Sequence, residues 1–412
     1  MDEKILIVED NKALAKLIAK KIQSSLAFEV DIAYSMEEAK LFLARYKYFL
    51  TLLDINLPDA PNGEIVDYVT KKKIHAIVLS GNIDKEFRKK VLQKNIIDYV
   101  NKNGVEDINY IIHTIERLQS NKKHKVLVVD DSRLFRQQMQ SMLENLFFKV
   151  VAVAHGEEAI GILKTQPDFS LVLTDYNMPV MNGLELTLEI RKTYSKNELS
   201  ILVLSSNEDD EITALFLKNG ANDYVKKPFS KEEFSCRINN SIEALENIQM
   251  ITNYANRDYL TGLYNRRYFF ESINEYIDDI KESGEKFAIG IIDIDHFKKI
   301  NDTFGHDVGD IVLVQLSKLL KDEIRSTDII ARWGGEEFMI LTPESSIDTA
   351  SQLAEKLREK IDAFTFDKVD HMNCSFGVTQ LKENENFSSI AQRVDMGLYD
   401  SKQRGRNCVT VI

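Results

Sequence analysis

A chain of 412 residues has length for roughly three domains, and its 44% hydrophobic content can build packed cores without any apolar run near the ~18 residues of a membrane span. With 53 basic against 65 acidic side chains the net charge is −12, which argues against a general nucleic-acid binder, and the seven histidines match no metalloprotease or zinc-finger spacing. Cys236, Cys374 and Cys408 lack pair or metal spacing, so they fit a reducing compartment and are expected to be packing residues.

Met1 leads straight into a strand, so no signal peptide is expected and the chain reads as cytoplasmic, without membrane insertion. Residues 1 to about 240 contain an internal repeat. Ile5-Leu-Ile-Val-Glu9-Asp10-Asn11 returns as Val126-Leu-Val-Val-Asp130-Asp131-Ser132, and Leu52-Leu53-Asp54 returns as Leu173-Thr174-Asp175. Val78-Leu79-Ser80 returns as Val203-Leu204-Ser205, and Asp98-Tyr99-Val100-Asn101-Lys102 as Asp223-Tyr224-Val225-Lys226-Lys227. The offset grows from 121 to 125 between Asp175 and Ser205, a net four residues of loop. In each copy short buried strands alternate with amphipathic helices, the pattern of a parallel sheet covered on both faces. Ligands of such sheets bind at the carboxyl ends of the strands, where the acidic pair, the central aspartate, the serine and the lysine of each copy fall. Three carboxylates sharing that rim call for a cation, and Mg²⁺ with oxygen ligands fits. The lysine and serine are then placed to hold a phosphoryl group built on the central aspartate. The alternative, solvated loop acids, is weakened by the repetition.

Ser120-Asn-Lys-Lys-His124 reads as a short polar linker. From about 231 to 257 the spacing of Ile238, Ile242, Leu245, Ile248 and Ile251 predicts one long helix. Its second half outruns the repeat and reads as a stalk able to pair with a second copy.

Farther on, Phe287-Ala-Ile-Gly-Ile-Ile-Asp293-Ile-Asp295 reads as an apolar strand ending in acids, followed by Asn301-Asp302 and by Gly305-His306-Asp307-Val308-Gly309-Asp310. Arg332-Trp333-Gly334-Gly335-Glu336-Glu337-Phe338 lies between two short apolar strands, so a hairpin is expected, its glycines supplying positive φ. Two adjacent turn carboxylates repel, and a divalent metal or a cationic partner would relieve them; an ordinary acidic solvated hairpin accounts for this stretch equally well. Trp333 is expected to pack rather than to touch a ligand.

Taken with Asp258-Tyr-Leu-Thr261 and Lys402-Gln-Arg-Gly-Arg406-Asn407, these segments resemble the GGDEF family of diguanylate cyclases in its GGEEF spelling, across residues 258–412. The repeated N-terminal module resembles the receiver domain of response regulators. The resemblance implies two flavodoxin-like (βα)₅ receiver domains, at 1–119 and 125–240. A linker helix at 241–257 and an α+β GGDEF domain at 258–412, similar to a nucleotidyl cyclase palm, complete the α/β chain. It also implies a homodimeric output of two-component signalling, driven by a histidine kinase or phosphotransfer protein. The activity would be condensation of two GTP into cyclic di-GMP with release of two pyrophosphates.

In the receivers the resemblance makes Asp54 and Asp175 phosphoacceptors, and Glu9, Asp10, Asp130 and Asp131 the Mg²⁺-holding acids. Lys102 and Lys227, Ser80 and Ser205, and Tyr99 and Tyr224 become the switch residues. The second copy follows the pattern through Lys227-Pro228-Phe229 and is expected to be the stronger input. The first has Asn103 in place of the proline and a segment from Pro58 to Gly63 one residue longer than that from Pro179 to Gly183. In the cyclase domain Asp293, Glu336, Glu337 and the carbonyl of Ile294 would hold Mg²⁺ or Mn²⁺, with Glu337 as a further ligand or base. Lys298, Lys402 and Arg406 would meet the triphosphate, and Gly334 and Gly335 would let the backbone approach the nucleotide. His306 belongs to the GTP site, and Asn301 and Asp310 would read the base. A carboxylate accepting from adjacent N–H groups favours guanine over adenine. Arg325-Ser-Thr-Asp328 matches the family's inhibitory product site, against the alternative of a surface ion pair. Two other classes are open, a silent receptor for the nucleotide and a phosphorelay adaptor. A DNA-binding output is disfavoured, since no helix-turn-helix or basic segment follows the receivers.

Overall fold

The structure, a computed structural model, describes residues 3–81, 85–102, 104–206, 210–283, 286–382 and 385–412. They form two compact units, Met1–Gln249 and Met250–Ile412. No described helix is long and apolar enough to cross a membrane.

The first half of unit one alternates β1 (Lys4–Val8), α1 (Lys12–Ser25), β2 (Glu29–Ala33), α2 (Met36–Arg45), β3 (Leu50–Asp54), α3 (Glu64–Lys71), β4 (Ala76–Ser80), α4 (Lys85–Leu92), β5 (Asp98–Asn101) and α5 (Val105–Asn121). The second half repeats this with β6 (Lys125–Val129), α6 (Arg133–Asn145), β7 (Lys149–Val153), α7 (Gly156–Thr165), β8 (Leu171–Asp175), α8 (Gly183–Arg191), β9 (Ser200–Ser205), α9 (Asp210–Lys218), β10 (Asp223–Lys226) and α10 (Lys231–Asn256). The strand orders are β2-β1-β3-β4-β5 and β7-β6-β8-β9-β10, both the doubly wound order of flavodoxin-like sheets, with every pairing parallel. β3, β4, β8 and β9 are buried along their whole length, because helices cover both faces. In α1, Ala15, Ile18, Ala19 and Ile22 form the inward stripe, and the Asn11 side chain caps the first turn.

One hydrophobic cluster continues from the first half into the second. At the seam the Phe147 ring lies 4.6 Å from Phe49 and 4.2 Å from His75. Asn121 donates to the Leu146 carbonyl at 3.0 Å, and Arg88 pairs with Glu232. On α10 the buried stripe is Phe234, Ile238, Ile242 and Leu245, while Met250, Ile251 and Tyr254 are exposed. Cys374 is buried and Cys408 half-buried, but Cys236 is exposed, contrary to the packing expectation. It lies two residues from both Phe234 and Ile238, which turns it to the opposite side of the helix.

Unit two builds a mixed sheet from β11 (Tyr264–Asn265), β12 (Ala288–Ile294), β13 (Ile329–Arg332), β14 (Glu337–Thr342), β15 (Cys374–Gln380) and β16 (Val409–Val411), in the order β11-β13-β14-β12-β15-β16. Its helices are α11 (Arg266–Ser283), α12 (Phe297–Phe304), α13 (His306–Glu323), α14 (Ile347–Ala363) and α15 (Phe387–Gln403). The two-residue period of β12 sorts its side chains. Ala288, Ile292 and Ile294 join the core under α12, α13 and α14, while Ile289 and Ile291 join the one under α11 and α15.

Candidate functional site

In the first receiver Glu9, Asp10 and Asp54 each bring a carboxylate oxygen within 4.8 Å of the others, the one such acidic group among the described residues. Lys102 Nζ donates to Glu9 Oε2 at 2.8 Å and to Asp54 Oδ2 at 2.7 Å. Burial pushes the Glu9 carboxyl up, against the opposing pull of Lys102. Burial alone would lower the Lys102 ammonium, but its bonds to Asp54 and Glu9 hold it above the ordinary lysine value. Ser80 ends β4 buried, and the Arg88 guanidinium stands 5.7 Å from the buried Tyr99 ring. Asn103 falls outside the described residues.

The second receiver repeats the pocket with a different surround. Lys227 Nζ donates to Asp175 Oδ1 at 2.6 Å and to Asp130 Oδ2 at 3.3 Å, and lies 3.6 Å from the Phe135 ring centre. Burial raises the Asp130 carboxyl. Asp131 is exposed, Ser205 is buried, and Tyr224 is half-buried with its ring 6.3 Å from Phe216.

In unit two, antiparallel pairing of β12 with β14 places Asp293 opposite Glu337, and Ile294 N–H donates to the Glu336 carbonyl at 3.3 Å. Asp293 is buried and held by Lys402 at 2.8 Å. Burial first and the Asp293 charge second raise both Glu336 and Glu337. Burial also raises Asp293, with Lys402 opposing. Hard oxygen donors with a surplus of negative charge suit a divalent cation. The 332–338 hairpin forms as expected, with Trp333 N–H bonded to the Glu337 carbonyl at 2.8 Å. The expectation of positive φ fails, because Gly334 and Gly335 are absent from the left-handed positions. A Cβ on Gly334 would meet only the mobile end of the Glu337 side chain, 2.8 Å from Oε2, and one on Gly335 would meet nothing within 4 Å, so neither glycine is required for space within the chain. Trp333 packs edge-on against Phe269 and Phe387.

Lys298 is exposed on α12, and His306 and Asp310 are exposed on α13. Asn301 is wedged against Gly309, where a Cβ would come within 2.0 Å of its Oδ1, and that oxygen is buried without a partner. Arg406 Nε stands 3.9 Å from Asp295, beside the Lys402–Asp293 pair. Arg325 and Asp328 close a turn through Arg325 N–H to Asp328 Oδ2 at 2.9 Å. With Thr349, Gln352 and Lys356 they line a cavity of about 320 Å³.

Sequence reasoning gave no role to Arg332. Its guanidinium donates to the Gly335 carbonyl at 2.8 Å and the Gly334 carbonyl at 3.2 Å, and reaches Asp258 Oδ1 at 3.1 Å. Asp258 in turn accepts from Thr261. The signature turn is thus fixed to the segment that follows α10. Only an arginine opening the turn and an aspartate some seventy residues earlier signalled this in the sequence.

Two doubly wound sheets with lysine-bridged acidic rims, followed by a mixed sheet with an acidic hairpin, define a regulator with an enzymatic output. The response regulator receiver domain matches residues 5–115 and 126–239, and the diguanylate cyclase GGDEF domain matches 255–408. The chain belongs to the response regulators, with two receiver domains and a GGDEF output domain, and it is a diguanylate cyclase. The response regulator PleD of Caulobacter vibrioides is 25% identical over 99% of both chains. Diguanylate cyclase A of Treponema denticola is 39% identical over 41% of this chain and 47% of its own. A crystal structure of a two-component response regulator/GGDEF domain protein aligns with TM-score 0.54 and 34% identity, over 60% of this chain and all of its own.

Proposed function

We propose that this cyclase condenses two GTP into cyclic di-GMP and two pyrophosphates, as a dimer whose assembly is controlled by phosphorylation of the receivers. The observation that carries the chemistry is the convergence of Asp293, Glu336 and Glu337 with Lys402 at one end of β12. Asp293, Glu336 and the Ile294 carbonyl would hold Mg²⁺ or Mn²⁺, with Glu337 beside them. When bound, that ion neutralises charge on the phosphates undergoing attack. Lys402, Arg406 and Lys298 bind and orient the triphosphate as charge partners. Asn301 and Asp310 meet the guanine edge, Asp310 from the exposed face of α13. His306 lies near that edge at the start of α13. Gly334 and Gly335 keep side chains away from the nucleotide.

In the receivers Asp54 and Asp175 accept the phosphoryl group from a kinase or phosphotransfer protein. Glu9 with Asp10, and Asp130 with Asp131, hold Mg²⁺, and Lys102 and Lys227 contact the phosphoryl oxygens. The sequence pattern ranks Asp175 first. The closer convergence of Glu9, Asp10 and Asp54 supports the reverse order. Arg325 and Asp328 form an inhibitory product site, a reading supported by the cavity they line.

Purified protein given GTP and Mg²⁺ is expected to release cyclic di-GMP. Glu336→Gln and Glu337→Gln should each lower turnover by at least about 100-fold while melting with wild type. Near-wild-type turnover in either variant would refute the metal assignment.

A further inference from the structure

β12 leads into two acids, Asp293 and Asp295, that are employed differently. Asp293 faces Lys402 at the acidic rim. Asp295 is buried and spends both oxygens on the protein, Oδ1 accepting from Ser375 Oγ at 2.7 Å and Oδ2 from Asn407 N–H at 3.0 Å. That amide ends an unusual run. Gly405, Arg406 and Asn407 have φ of 111°, 68° and 47°, three consecutive left-handed residues of which two carry a Cβ. L-residues resist this conformation, and surrounding contacts must impose it. Those contacts are Asp295 on the Asn407 amide, the Ser401 carbonyl accepting from Arg406 N–H at 3.1 Å, and Arg358 donating to the Asn407 side chain at 3.2 Å.

We infer that Asp295 is a positioning residue: it pins the 405–407 turn so that Arg406, next to Lys402, faces the triphosphate at the Asp293 rim, and it is not itself a metal ligand. This rests on the proposed GTP reading of the site. Both oxygens of Asp295 already accept hydrogen bonds within the protein, so a cation drawn to them would compete with the contacts that hold the turn. Without the pinned Asn407 amide the turn rests on the Ser401 carbonyl and Arg358 alone, and the Arg406 guanidinium is less firmly held beside the rim.

The test uses full-length protein and two probes, 3′-deoxy-GTP, which lacks the attacking hydroxyl, and GMP, which lacks the β- and γ-phosphates. Asp295→Asn is expected to weaken 3′-deoxy-GTP about tenfold, the scale of one charge-assisted contact, and to leave GMP binding within about twofold. The half-saturating Mg²⁺ concentration should stay at the wild-type value, and Asp295→Asn with Arg406→Ala should bind no more weakly than Arg406→Ala alone. Equal losses for both nucleotides, additive losses in the double variant, or a severalfold rise in the Mg²⁺ requirement would overturn the inference. Should Asp295→Asn fail to fold, Ser375→Ala decides: a selective loss for 3′-deoxy-GTP supports the role, and wild-type binding overturns it. If wild type itself neither binds 3′-deoxy-GTP nor turns over GTP, the proposed function falls and the inference falls with it.

Discussion

Arg332 reaches the signature turn from behind, with its donors on the Gly334 and Gly335 carbonyls and its charge balanced by Asp258. The carboxylates of Glu336 and Glu337 depend on that turn for their aim. Misplacing catalytic groups by about 1 Å can cost about 100-fold in rate, so Arg332→Ala and Asp258→Ala are expected to lower kcat by about 10- to 100-fold. Steady-state kinetics on variants that melt with wild type would check this, and unchanged kcat would reduce the contact to packing. The raised carboxyls of Asp293, Glu336 and Glu337 give a pH dependence of definite sign. They protonate at higher pH than ordinary carboxylates, and only the ionised forms hold a cation. The half-saturating Mg²⁺ concentration should therefore rise as pH is lowered, well before the ordinary range near about 4 is reached. A requirement flat with pH down to that range would contradict the assignment.

Besides its buried stripe, α10 has a polar anchor in Glu246. Glu246 accepts from Arg117 of α5, from Ser120 at 2.7 Å and from His124 at 2.8 Å. Burial would raise this carboxyl, but the bonds from Arg117, His124 and Ser120 overcome it and hold it down to about 2 from an ordinary 4.5. A folded value below the unfolded one stabilises the protein above pH 4.5 and loses that stability as pH falls toward 2. Glu246→Gln should lower stability at neutral pH by about 1–3 kcal/mol, since it leaves Arg117 buried with a poorer partner. The variant's denaturant midpoint should converge with that of wild type as pH falls through this window, and parallel curves would show that Glu246 is not the source. The segment between α13 and β13 carries a separate expectation. Arg325→Ala should leave the initial rate intact and weaken inhibition by added cyclic di-GMP, and unchanged inhibition would return that turn to an ordinary surface.

At the level of the whole molecule, one hydrophobic cluster runs through both receivers, while each keeps a second cluster of its own, and the two form a single compact unit. A change at Asp54 or Asp175 is therefore felt by a common body that includes the first half of α10. The product has twofold symmetry and each GGDEF domain is expected to hold one GTP, so turnover is expected to need two copies. Moving that equilibrium from mostly apart to mostly paired requires about 5 kcal/mol of differential stabilisation. Beryllofluoride with Mg²⁺ should drive dimer formation and raise the cyclase rate, read as mass in solution and product formed. If Asp54→Asn abolishes the response and Asp175→Asn does not, the pocket of converged acids is the working input; the opposite result restores the order suggested by the sequence pattern. A response that survives in both variants would refute phosphorylation-driven pairing.

Much of this was legible in the chain itself. The repeat at offsets of 121 and 125 specified two copies of one sheet, because buried parallel strands need unbroken apolar runs and the polar residues can then lie only at strand ends. The spacing of Ile238, Ile242 and Leu245 specified a helix for the same reason of periodicity. Contacts between residues far apart in sequence were not legible. Periodicity says which side of an element is apolar and nothing about its neighbour, so the fusion of the receivers across Phe49, His75 and Phe147 appeared only in three dimensions. Cys236 was misread because composition does not report helix facing. Gly334 and Gly335 were misread because a hairpin between two strands need not place its glycines at positive φ, and only the backbone of the folded chain shows which angles they take. The contacts of Arg332 with Asp258 and of Asp295 with Asn407 join residues 74 and 112 apart, and only the fold of the chain decides which groups meet.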